Sequence, residues 1–122
     1  MEKVIIESPF AGDVVKNTKY LNAALKDCLL RGEAPFASHA LYTLEGVLDD
    51  NNPEERELGI EAGLVWGDSA DKTVVYSDLG ISSGMKIGIE RALSAGRPIE
   101  YRELPGWSCD EECEVSPLSM RR

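Results

Sequence analysis

The sequence predicts an α/β domain built around a parallel sheet. Short β-branched runs alternate along the chain with stretches of helical period. Gly and Pro mark most of the boundaries between them. The 122 residues, 43% hydrophobic and 29% charged, suit one layered core rather than two.

The first strand is the apolar run Val4-Ile5-Ile6, closed by Ser8-Pro9. A loop follows at Gly12-Asp13. From Asn17 to Arg31, the residues Leu21, Ala24, Leu25, Cys28 and Leu29 fall on one helix face, and Gly32 suits its end. Ala34 to Ala37, around Pro35, reads as an extended entry to a second strand. His39 to Leu48 carries Leu41, Leu44, Val47 and Leu48 at helical spacing, but is ambiguous. Asn52-Pro53-Glu54-Glu55 is a strong helix start, with an Asn cap, Pro at the first position and acids in the first turn. Leu58, Ala62, Val65 and Trp66 mark the expected apolar face of that helix. Thr73-Val74-Val75 forms a third strand core. After a polar turn from Asp78 to Gly84, Met85, Ile89, Ala92 and Leu93 predict a helix ending near Gly96. Pro98 to Tyr101 reads as the last strand. Beyond Pro105 the sequence is polar, acidic and without period, so the expected division is a domain over 1–104 and a loose tail over 105–122.

The formal charge is −9, from 22 acidic and 13 basic residues. That argues against a nucleic-acid polymer as partner, because phosphate backbones need clustered Lys and Arg. A small anion remains possible, since backbone N–H groups at a helix N-terminus hold one without basic side chains. No apolar run approaches the roughly 20 residues that span a bilayer. The start of the chain lacks a signal pattern, so a cytoplasmic setting is expected. Of the three Cys, Cys28 lies on an apolar helix face, and Cys109 and Cys113 form a CDEEC segment. One ligand pair and a single His, His39, are too few for a closed zinc site. No metal and no cofactor are expected.

In a parallel α/β sheet, ligands bind outside the carboxyl ends of the strands. Three segments should meet there: Ser8 to Asp13, Ala37 to Tyr42, and Ser77 to Met85. The turn Gly80-Ile81-Ser82-Ser83-Gly84-Met85 offers N–H groups and hydroxyls to a phosphate or sugar, or is simply a Ser-capped helix start. Asp13 suits ribose hydroxyls or a plain turn. His39 is placed to orient a ligand or to pack, and Tyr42 to stack on a base or fill the core. Glu90 shares a helix face with Lys86, as a surface ion pair does.

Taken together, VIIESPFAGD, APFASHALYT and VVYSDLGISSGMKIGIERALSAGRPIEYREL resemble the nucleoside 2-deoxyribosyltransferase-like group. Within it they look closest to the DUF4406 or DUF7768 domains of phages and bacteria. The resemblance spans about residues 3 to 104. It implies a flavodoxin-like, Rossmann-like three-layer sandwich with a mostly parallel sheet. It also implies ligand-binding roles for Ser8, Phe10, Gly12 and Asp13 in the first loop and Ser83, Gly84 and Met85 in the turn, beside His39, Tyr42 and Ser82. Characterised relatives cleave or exchange the N-glycosidic bond of deoxynucleosides or deoxynucleotides with a Glu four residues past the turn Gly. Here that place holds Gly88. The nearest carboxylate is Glu90, two residues on, which a helix rotates by roughly 200°. Glu90 is the catalytic candidate on this reading.

Two functions follow. One is a deoxyribosyltransferase or N-glycosidase. The other is a non-catalytic sponge for a nucleotide-like or ADP-ribose-type signal, such as a phage counter-defence protein would be. Fold analogy does not choose between them. Both imply a small nucleoside-like ligand and a homo-oligomer, the latter also suggested by surplus apolar surface around Trp66, Ile60 and Leu64.

Overall fold

A computed structural model describes residues 1–107. Its elements follow the order β1 Glu2–Glu7, α1 Val14–Leu30, β2 Glu33–Phe36, α2 Ser38–Leu41, α3 Pro53–Gly67, β3 Lys72–Tyr76, α4 Ser83–Ser94 and β4 Ile99–Arg102. The strands form one sheet in the order β2-β1-β3-β4, and every pairing is parallel. The expected α/β sandwich is the fold observed. Chain order reverses between β1 and β3, so the ligand crevice of such a sheet lies at their carboxyl ends.

The registers set Ile6 beside Val74 and Glu7 beside Val75. With alternating side chains, Val4, Ile6, Val74 and Tyr76 share one face. There α1 buries Tyr20, Leu21, Ala24 and Cys28 against them, as its spacing predicts. Ile5, Glu7, Thr73 and Val75 share the opposite face, which α4 covers with Met85, Gly88 and Ala92. Helix α1 starts at Val14, earlier than its apolar period, because Asp13 caps it by accepting the Lys16 N–H at 3.1 Å. Pro35 is tolerated within β2 because β2 is an edge strand.

The ambiguous segment is helical only where it joins α2, up to Leu41, and Gly46, at φ 87°, belongs to the turns that follow. One expectation needs correction. Helix α3 is rotated from its expected face: Leu58, Val65 and Trp66 are 58%, 59% and 58% exposed. Its buried residues are Gly63 and Gly67. A glycine stripe brings the helix backbone close to its neighbours, and a hydropathy pattern cannot register that.

Below α1, a charged cluster ties the sheet together. Arg102 donates to both oxygens of Glu33, at 2.9 and 2.6 Å, and to Glu100 at 2.8 Å. Lys72 joins the same two carboxylates at 3.0 Å each. These bonds hold the Glu33 carboxyl down to about 2, well below its usual range. At the end of β3, Asp78 Oδ2 accepts from Tyr20 Oη and from the Leu104 N–H, both at 2.7 Å. The core continues past residue 104, since the Trp107 ring packs edge-on against Tyr20 with centroids 5.0 Å apart. Cys109, Cys113 and the rest of the proposed tail lie outside the described residues.

Candidate functional site

The carboxyl end of β1 opens into a cavity of about 150 Å³, walled by α2, α3 and the start of α4. The loop after β1 is shaped from within: Asn17, buried in α1, donates to the carbonyls of Phe10 and Ala11, both at 3.0 Å. This presents Ser8 and Phe10 to the cleft. Ser8 Oγ pairs with His39 Nε2 at 2.9 Å, and the Phe10 ring stands edge-on to the imidazole. Burial pushes His39 down to about 4, so the ring is neutral at neutral pH.

On the opposite wall, Ser82 caps α4 by accepting the Met85 N–H at 3.3 Å. Ser83, Gly84 and the buried Met85 follow it into the same cavity, and Tyr42 enters from beyond α2. The cleft thus gathers Ser8, Phe10, His39, Tyr42, Ser82, Ser83, Gly84 and Met85. Gly12 and Asp13 are exposed and lie outside it, with Asp13 occupied as the α1 cap. Glu90 is also exposed and outside the cleft lining. It sits two residues past the cleft-facing Gly88, and the helical rotation that the sequence implies carries it away.

The cleft holds residues that motif reading missed. Arg97 lies beneath it, with Nε donating to Thr73 Oγ1 at 3.1 Å. Arg56 lines it from α3, close to Gly84, and makes a long 3.8 Å contact with Asp50. Glu7, the last residue of β1, is the third. Its carboxyl is raised to about 8, because burial outweighs the attraction of Arg97. The other two acids of the cleft are engaged: Glu55 accepts the Asp49 N–H at 2.7 Å, and Asp50 faces Arg56. One signal for Glu7 was present in the sequence, an acid directly after the apolar run Val4-Ile5-Ile6.

Against known proteins, the chain matches the family described as "Domain of unknown function (DUF7768)" over residues 2–102. It belongs to that family. No curated protein matches it. Among solved structures it is similar to a 2-deoxyribosyltransferase from Bacillus psychrosaccharolyticus, with a TM-score of 0.59 and 19% identity. That likeness covers 83% of this chain and 72% of the other. It is also similar to the CMP N-glycosidase BcmB of Clostridium botulinum, with a TM-score of 0.51, 13% identity, and coverage of 84% and 71%. At these identities the likeness establishes the deoxyribosyltransferase-like fold of this DUF7768 domain. The described residues contain no helix long and apolar enough to cross a membrane.

Proposed function

We propose that the cleft takes up a nucleoside or nucleotide and that the protein acts on its N-glycosidic bond. The observation that carries this reading is the convergence of Ser8, His39, Tyr42 and the Ser82–Met85 turn at the reversal point between β1 and β3. Hydroxyls and an imidazole suit sugar oxygens, and Phe10 and Tyr42 offer ring faces to a base. The two structurally similar proteins are named for acting on such compounds, which supports the reading by analogy.

A second reading, a non-catalytic binder of a nucleotide-like or ADP-ribose-type molecule, draws support from Gly88 and from the outward position of Glu90. Both readings fit a cytoplasmic protein, in the host cytoplasm if it is phage-borne. The exposed stripe of Leu58, Val65 and Trp66 on α3 supports self-association through that helix.

Incubating the protein with a panel of nucleosides, nucleotides and ADP-ribose separates the readings. Release of free base marks an enzyme. Thermal stabilisation without release marks a binder. Neither effect with any compound would remove the nucleoside reading.

A further inference from the structure

Helix α4 has a hole in its sheet-facing side, and Glu7 fills it. A Cβ built on Gly88 would collide with Glu7 Oε2 and stand 2.5 Å from its carboxyl carbon and 2.9 Å from Oε1. A glycine inside a helix is unfavourable relative to alanine. Here that residue leaves room for a carboxyl group arriving from the neighbouring strand.

Arg97 attracts the carboxyl but makes no hydrogen bond to it. Among the described residues, the one fully buried side-chain oxygen without a partner is Asp78 Oδ1. The Glu7 oxygens also lack a hydrogen-bond partner among those residues, so they remain open to the cleft that the residue lines. A mostly buried, unpartnered acid at a ligand cleft is costly to keep for stability alone and points to function.

We infer that Glu7, reaching into the gap left by Gly88, is the carboxylate that attacks the sugar. This rests on the nucleoside reading above. Glu7, protonated in its buried setting, first gives up its proton to water, and the ionised oxygen forms a bond to the anomeric carbon as the carbon–nitrogen bond breaks. The bonding pair leaves with the base, which takes up that proton from water. A second water then adds to the anomeric carbon, displaces the Glu7 oxygen and gives its proton back to Glu7. The net reaction is hydrolysis to free base and free sugar, and no other reactant enters. Glu90 takes no part.

The test compares wild type, E7Q, G88A and E90Q on the panel of deoxynucleosides and their monophosphates. E7Q is expected to lower base release by at least about a hundredfold, the lower end for a positioned catalytic group. Its ligand-induced thermal stabilisation should persist. G88A should lower release by crowding the carboxyl, and E90Q should match wild type. Folding of each variant is checked by its melting transition. Wild type is also incubated with a deoxynucleoside bearing fluorine beside the anomeric carbon, which slows breakdown of a glycosyl ester. The added mass should map to the peptide containing Glu7, a readout that needs no variant. Wild-type turnover that survives in E7Q, or label on another residue, overturns the assignment but leaves the nucleoside reading standing. Binding without any turnover or label overturns the catalytic step in favour of the binder. No binding and no release removes both.

Discussion

Ser8 Oγ and His39 Nε2 lie 2.9 Å apart and join the end of β1 to α2. Burial holds the imidazole at about 4, below its ordinary 6.5. A depressed histidine contributes stability that is present above 6.5 and lost as the pH falls through 4. Melting temperature should therefore drop over that window in wild type. In H39Q the drop should be shallower, measured by circular dichroism at matched ionic strength.

Glu7 has the opposite sign. Its carboxyl is raised from 4.5 to about 8, so the folded state binds the proton more tightly than the unfolded one. The associated stability is complete below 4.5 and is lost as the pH rises through 8. E7Q, which cannot ionise, should gain in melting temperature relative to wild type across that range. Parallel curves for the two proteins would mean that Glu7 is solvated as an ordinary surface acid.

Arg102 sits among Glu33, Glu100 and Tyr76 on the face away from the cleft. R102A strands the Glu33 carboxylate and should cost about 3 to 5 kcal/mol by denaturant titration, the usual loss when one partner of a buried pair is removed. Ligand affinity should change little in any fraction that folds. Because Glu33 is depressed from 4.5 to about 2, its contribution is present above 4.5 and disappears as the pH falls through 2.

The Trp107 ring against Tyr20 gives the end of the described chain a share of the core. W107A should destabilise by about 1 to 2 kcal/mol, from the aromatic pair and the apolar area it covers. No change in the denaturation midpoint would show that the ring contributes little in solution.

Self-association through α3 should respond to V65E, which sets a charge in the middle of the exposed stripe. Wild type should sediment as a multiple of the 13.4 kDa chain at high concentration, and V65E as a monomer. A monomer for both would point the stripe to another use.

The sequence carried the sheet well because its strands are short apolar runs bounded by turn residues, and β-branched side chains mark them. The caps at Asn52 and Ser82 were equally legible, since each pairs a short polar side chain with free N–H groups, whereas Asp13, read as a loop residue, proved to be the cap of α1. Helix α3 was misread because glycines make its inner wall, and glycine carries no hydropathy signal. Glu7 was overlooked for a related reason. Motif reading starts after the strand, at Ser8-Pro9, and Gly88 looked like a missing residue rather than a space for another one. That relationship is tertiary and spans two elements far apart in the chain.

The inner wall of α3 limits how this protein can diversify. Cβ atoms on Gly59 and Gly63 would meet Leu48 Cδ1 at 3.1 Å and Ser38 Cβ at 2.6 Å. These positions are already at the smallest residue there is, so substitution at them works in one direction. Mutation at these two positions can only take space away. A homologue accepting a bulkier base must gain its space elsewhere, from Ile60 or Leu64 of the same helix, or from Tyr42, Leu48 or the loop that carries Phe10.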